Sequence, residues 1–168
     1  MELYSEGMID RPTQHIAIIL QRETVQSRWE DYRWDLLGVI PDVGGDVRTI
    51  AQDERTLQRV FPGVELVLFR DEAEGYYLNA TSEVPSVFVS LRRDEASGDP
   101  LPFRATLSYN EAARWMDSAE RVERVPAWPE LAAWLGAYTA EHYKPEPKKR
   151  QRPRSFEGKE GKLRKEGA

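Results

Sequence analysis

The spacing of apolar residues changes once along this chain of 168 residues, and that change limits the folds open to it. Before residue 108 the apolar stretches are short, rich in β-branched and aromatic residues, and separated by turn-forming residues, which indicates strands. After residue 108 the apolar residues recur at three- and four-residue intervals, as is typical of helices. We therefore predict a mainly β protein of the α+β class, with two helices at its C-terminal end.

Seven strands are predicted, and their short links favour an antiparallel barrel or sandwich. Their approximate bounds are 15–23, 32–40, 55–61, 64–70, 76–82, 86–94 and 101–108. Residues 41–54 are predicted to form a loop, because Gly and Asp are frequent there. The pair Pro62–Gly63 is predicted to form a turn that ends the third strand, which we place at a sheet edge.

The second predicted strand alternates in polarity from Tyr32 onward. One face is predicted to carry Tyr32, Trp34, Leu36 and Ile40, and the other Arg33, Asp35, Leu37 and Val39. Trp29 falls out of phase, so a bulge or turn near Glu30 is expected. Five aromatic residues are predicted to be structural, namely Trp29, Tyr32, Trp34, Trp115 and Trp134.

Two helices follow the strands. The first begins at a capping box, Ser108-x-x-Glu111, which is predicted to satisfy two free backbone amides. Its apolar face is predicted to hold Ala112, Trp115, Met116 and Ala119. Residues 121–126 are predicted to form a strand or an extended link. The second helix is predicted to start near Pro129, with Leu131, Trp134, Leu135 and Tyr138 on its core face.

Charge divides the chain into an acidic body and a basic tail. Residues 1–143 carry a net charge of −11, and residues 144–168 carry +6. We predict a polar arm over 1–13, a single globular domain over 14–143, and a disordered tail over 144–168, because the tail has few apolar residues to bury. The basic residues proposed to bind a partner are Lys148, Lys149, Arg150, Arg152 and Arg154.

Composition and motifs argue against most kinds of active site. The chain has no cysteine, which excludes disulfides, thiolate zinc sites and thiol nucleophiles. His15 and His142, which are distant in the sequence, have no dense set of further ligands, so we predict no metal, no cofactor and no catalytic residue. No secretory signal and no membrane span is recognisable, so a cytoplasmic location is expected.

Three segments resemble an uncharacterised proteobacterial family with a domain of unknown function: residues 15–42, 85–95 and 108–143. The matching residues are Arg22, Trp29, Trp34, Arg92, Tyr109, Glu111, Ala112, Asp117, Val125, Pro126, Pro129 and Trp134. Members of that family are encoded beside molybdenum-dependent formate dehydrogenases and their maturation factors. Some are labelled molybdopterin-guanine dinucleotide biosynthesis proteins. The resemblance implies an accessory role around a molybdoenzyme.

Three functions stay open from the sequence. The first is a non-catalytic protein-interaction module that assists assembly, maturation or regulation of a formate dehydrogenase-type complex. The second is binding or transfer of the molybdenum cofactor or a nucleotide. The third is regulation at nucleic acid, bound unspecifically through the basic tail. We favour the first, with a molybdoenzyme subunit or maturation factor as the protein partner and no membrane contact.

Overall fold

The structure, a computed structural model, describes residues 10–145. It is an α+β fold of two open antiparallel sheets and three α-helices within that range, so the predicted fold class is confirmed. The sheets have four and three strands, and neither closes into a barrel. The predicted tail beyond residue 145, with its five basic partner-binding candidates, and residues 1–9 of the predicted arm lie outside the described residues.

The larger sheet has the order β2-β1-β4-β3 and the smaller sheet the order β6-β5-β7. Their strands are β1 (Thr13–Thr24), β2 (Tyr32–Pro41), β3 (Arg48–Gln52), β4 (Thr56–Val67), β5 (Ser86–Arg93), β6 (Pro100–Thr106) and β7 (Arg121–Pro126). The helices are α1 (Ala73–Ala80), which follows a single 3-10 turn at Arg70–Glu72, α2 (Tyr109–Asp117) and α3 (Pro129–His142). Residues 121–126 are therefore a strand, one of the two forms predicted for them.

The strand predicted at 76–82 is wrong, because these residues belong to α1 and the turn after it. Two side chains explain the helix. Tyr76 packs edge-on against Tyr138 of α3, with ring centroids 5.8 Å apart. Asn79, fully buried, donates to the carbonyl oxygens of Ser86 and Leu107 and accepts from the Ser86 amide. These tertiary contacts outweigh the β propensity of two adjacent tyrosines.

The predicted turn at Pro62–Gly63 is instead a bulge inside one continuous strand, β4. Ile16 of β1 pairs with Val64 and Ile18 pairs with Phe61, so Pro62 and Gly63 together lie opposite Ala17. Gly63 has a φ of +79°, a conformation that favours glycine. Since β4 pairs with both β1 and β3, the predicted edge position of residues 55–61 is also wrong.

Two further strand predictions need correction. The predicted loop at 41–54 contains β3, a five-residue edge strand exposed along its whole length. In β2 the predicted alternation fails at Leu37, which is the extra residue of a bulge between the Leu20–Leu36 and Ile19–Gly38 pairs. Leu37 is consequently exposed, whereas Val39 is buried.

The start of α2 confirms half of the predicted capping box. Ser108 Oγ accepts a hydrogen bond of 3.0 Å from the Glu111 amide. The Ser108 amide donates to Thr106 Oγ1 rather than to Glu111. The helix ends at Asp117, so Ala119, with a φ of +63°, lies beyond it, and Met116 is exposed.

One hydrophobic core joins both sheets and the helices. It contains strand residues such as Ile18 and Val89 together with Leu131 and Leu135 of α3. The predicted core face of α3 is confirmed at Leu131, Leu135 and Tyr138, all buried, and Trp134 packs against the core while half-buried. Within residues 10–145, no helix has the length and apolar character needed to cross a membrane.

Candidate functional site

Arginine and aromatic side chains meet where β1 ends and β2 begins. We call Arg22, Tyr32, Trp34 and Arg59 the Trp34 cluster. The Arg22 guanidinium lies 4.2 Å from the ring centroid of Tyr32 and 6.0 Å from that of Trp34. The Arg59 guanidinium lies 5.3 Å from the Trp34 ring. These distances are within the range of cation–π contacts.

Strand register explains why these residues are neighbours. Arg22 lies directly opposite Trp34 across the β1–β2 pair, and Arg59 of β4 lies opposite Leu20, two residues before Arg22 on β1. Residues two apart share one face of a strand, so both guanidinium groups reach the face on which Trp34 lies.

Trp34 is held firmly at the centre of the cluster. Its ring is 8% exposed, and Nε1 donates a hydrogen bond of 3.2 Å to Asp99 Oδ1 in the β5–β6 loop. The indole therefore connects the larger sheet to the hairpin of the smaller one. Neither Arg22 nor Arg59 forms an ion pair with any residue in the described range, which leaves two cationic groups at the edge of the core.

Trp29 extends from the loop beside this cluster. The loop is closed by a backbone hydrogen bond of 3.1 Å from the Val25 amide to the Asp31 carbonyl oxygen, and Ser27 Oγ accepts from the Trp29 amide. The Trp29 side chain is 88% exposed. The prediction that Trp29 is a structural residue does not fit this exposure, because the indole buries almost no surface within the described chain.

The other predicted structural aromatics differ in burial. Tyr32 is 48% exposed and in contact with Arg22. Trp115 is buried on α2, where the Arg104 guanidinium lies 4.3 Å from its ring. Arg104 also approaches Phe103 at 5.2 Å. The Arg104 guanidinium therefore links β6 to Trp115 of α2.

Ser108, which is buried, and Glu72, which is partly buried, form a polar pair that superficially resembles catalytic chemistry. The Ser108 hydroxyl donates to the Glu72 carboxylate, and Arg114 pairs with the other oxygen of that carboxylate. Ser108 is completely buried and its Oγ already caps α2. The hydroxyl is thus held inside the fold, and the pair links the 3-10 turn to α2.

The two histidines lie apart in the structure. His15 contacts Glu65 at 3.3 Å on the exposed surface of the larger sheet. His142 lines a cleft at the end of α3, where its ring lies 4.4 Å from that of Tyr138. No group of three or more metal-ligating side chains occurs among residues 10–145.

Sequence reasoning did not foresee either the cleft or the Trp34 cluster as a site. The matching positions Arg22, Trp29 and Trp34 were visible in the sequence, but their mutual contact depends on strand register. No sequence pattern pointed to Arg59, because it joins the cluster only through the pairing of β4 with β1.

The fold and this surface define a class of protein: a small α+β protein with two open sheets and an exposed arginine–aromatic surface. A family model described as protein of unknown function (DUF3305) matches residues 15–152, and the chain belongs to that family. No curated protein and no solved structure is detectably similar to the chain.

Proposed function

We propose that this protein is a non-catalytic interaction module and that it docks a partner protein through Trp29 and the adjoining Trp34 cluster. The observation that carries the proposal is the 88% exposure of Trp29, which lies three residues before Tyr32, the residue whose ring Arg22 contacts. Tryptophan, tyrosine and arginine are the residue types that most often dominate binding energy at protein interfaces.

The surface has the layout of an interface centre. Trp34 and its bond to Asp99 form a rigid base, so little side-chain entropy is lost there on binding. Trp29 supplies a large apolar side chain that a partner pocket can bury. Arg22 and Arg59 can form hydrogen bonds with carboxylates or backbone carbonyl groups of the partner.

The partner class follows from the family resemblance. We propose that the partner is a subunit or maturation factor of a molybdenum-dependent formate dehydrogenase-type complex, and that binding supports assembly, maturation or regulation of that complex. We propose that this partner presents an acidic surface, because such a surface would attract Arg22, Arg59 and the basic tail of residues 144–168.

Deletion in the host tests the function, and complementation tests the surface. The deletion strain should lose formate oxidation and molybdenum loading, and the wild-type protein should restore both. Trp29→Ala should fail to restore them while remaining folded, and Met116→Ala, which truncates an exposed apolar residue on α2, should succeed.

Three outcomes would contradict the proposal. The first is normal formate oxidation and molybdenum loading in the deletion strain. The second is full complementation by Trp29→Ala, which would show that the function does not depend on docking through Trp29. The third is turnover of a nucleotide by the purified protein, which would favour an enzyme.

A further inference from the structure

A cleft of about 540 Å³ lies at the opposite end of β1 from the Trp34 cluster. Three elements form it: the residues that enter β1, the end of β4 with the 3-10 turn after it, and the last turn of α3. Its volume falls within the range of small-molecule sites in proteins, which is about 300–1,000 Å³.

The wall of the cleft is partly apolar and aromatic. Leu68 is buried beneath it and Phe69 is partly exposed. The ring of Tyr138 forms another part of the wall, and the ring of His142 lies against it at a centroid distance of 4.4 Å. These groups can bury the apolar part of a small ligand.

Charged groups of both signs line the same cleft. Arg11 and Arg70 contribute two guanidinium groups, and Asp10, Asp71 and Glu141 contribute three carboxylates. Among residues 10–145, no ion pair within 4.0 Å involves Arg11, Arg70, Asp10 or Asp71, whereas Glu141 lies 3.7 Å from His142. The Arg11 guanidinium lies 4.9 Å from the ring centroid of Phe69, which holds it at the wall of the cleft. The charges of Arg11, Arg70, Asp10 and Asp71 are therefore not paired within the described residues and can meet a ligand.

Tyr138 places a phenol in the wall of the cleft. Only 7% of the residue is exposed. Among residues 10–145 its hydroxyl has no hydrogen-bond partner, so we expect it to be open to a ligand in the cleft. Burial raises the pKa of the Tyr138 hydroxyl and the Arg70 guanidinium opposes that shift, so the group is protonated near pH 7 and can donate.

We propose that this cleft binds a small zwitterion that carries an α-carboxylate and an α-ammonium group, as a free amino acid or a short peptide does. Arg70, Arg11 and the Tyr138 hydroxyl receive the carboxylate. Asp71 and Asp10 receive the ammonium group, and an aromatic or aliphatic side chain packs on Phe69.

The balance of charge favours a zwitterion over a simple ion. A plain anion would meet the carboxylates of Asp10, Asp71 and Glu141, and a plain cation would meet Arg11 and Arg70. Like charges in one cleft oppose binding, whereas a ligand with both charges satisfies both sets.

Calorimetric titration of the full chain with L-phenylalanine and with glycyl-phenylalanine tests the proposal and separates the two ligand sources. At least one should bind. L-Phenylalaninamide, which lacks the carboxylate, and N-acetylphenylalanine, which lacks the ammonium group, should bind about tenfold more weakly or worse than phenylalanine.

Two variants identify which protein group each ligand charge contacts. Arg70→Gln should weaken binding of phenylalanine about tenfold but leave binding of the amide unchanged. Asp71→Asn should weaken binding of phenylalanine similarly and leave binding of the N-acetyl compound unchanged. Arg93→Gln, at an exposed arginine on β5, is the matched control and should bind every ligand as the wild type does.

The proposal is overturned if neither zwitterion binds at concentrations up to about 5 mM. It is equally overturned if the blocked compounds bind as tightly as phenylalanine, or if Arg70→Gln and Asp71→Asn match the wild type while their melting curves show them folded.

Discussion

Arg121 of β7 donates a hydrogen bond of 2.8 Å from Nη2 to the backbone carbonyl oxygen of Trp34 on β2. Two residues along β7, the Glu123 carboxylate accepts from the Leu36 amide at 3.0 Å. The outer edge of β2 is thus capped by side chains of the other sheet, and Arg121 and Glu123 also pair with each other. We call these contacts of Arg121 and Glu123 with β2 the junction between the sheets, and they hold the Trp34 cluster at that boundary.

Replacing Arg121 should loosen that junction. Arg121→Ala removes the bond to the Trp34 carbonyl. Hydrogen bonds to charged groups contribute about 1.5–3 kcal/mol, and the Arg121 side chain is half-exposed, so we expect a loss of about 1.5 kcal/mol in the free energy of unfolding. Urea denaturation followed by tryptophan fluorescence measures it. Arg93→Ala, at an exposed arginine on β5, should change the free energy by less than about 0.5 kcal/mol. Equal effects of the two substitutions would contradict the role of the junction.

The two tryptophans of the β1–β2 region should respond differently to truncation. Trp34→Ala empties a buried position and removes the bond to Asp99, so we expect a loss of about 3–5 kcal/mol of stability. Trp29→Ala should leave the melting temperature nearly unchanged because its side chain is exposed. Calorimetric melting of both variants checks the contrast. A large destabilisation by Trp29→Ala would restore a structural role for that residue.

Gly75 and Gly136 provide a matched pair of helical glycines. A Cβ at Gly75 would lie 2.1 Å from Ser108 Oγ and 3.1 Å from the Asn110 amide nitrogen, so Gly75→Ala should disturb the helix cap and cost about 1–3 kcal/mol. A Cβ at Gly136 would have no neighbour within 4 Å, so Gly136→Ala should stabilise the protein by up to about 1 kcal/mol. Thermal melting distinguishes the two, and stabilisation by Gly75→Ala would refute the close approach.

Tyr76 should make stability sensitive to alkaline pH. Burial raises the pKa of its hydroxyl well above the ordinary value of 10.0, and the hydroxyl donates to the Val67 carbonyl oxygen while accepting from the Phe69 amide. The folded protein therefore keeps a proton that the unfolded chain loses. This contribution is complete below about pH 10 and declines as the pH rises above that value.

Tyr76→Phe tests this reasoning. The variant should lose about 1–3 kcal/mol at neutral pH, because the Phe69 amide loses its acceptor, and its stability should fall less steeply above pH 10. Urea denaturation at several pH values measures both effects. Tyr109→Phe, at a half-exposed tyrosine, is the control and should keep the steep alkaline dependence of the wild type.

The basic tail should affect the rate of partner binding. Its charge of +6 lies on a chain whose remainder carries −11. Removal of residues 146–168 should slow association with an acidic partner while changing dissociation little, because long-range attraction acts mainly on encounter. Surface plasmon resonance at low and high salt measures both rates. A change confined to dissociation would contradict the prediction.

The sequence was sufficient for features that depend on near neighbours along the chain. The short apolar runs rich in β-branched residues at 15–23 and 86–94 specified β1 and β5, and the helical spacing of Leu131, Leu135 and Tyr138 specified α3. Ser108 marked the start of α2, because a cap depends only on residues within one turn.

The features that the sequence left undecided depend on contacts between distant segments. Pro62 and Gly63 are typical of a turn, but the pairing of β4 with β1 places them in a bulge opposite Ala17. Tyr76 and Asn79 have no strong local preference for a helix, and their buried partners on other elements select it. Arg59 reaches Trp34 only through the register of β4 on β1. Local patterns thus determined the α+β class and most of the elements, whereas the site was decided by tertiary packing, because burial and pairing energies between remote residues exceed local propensities.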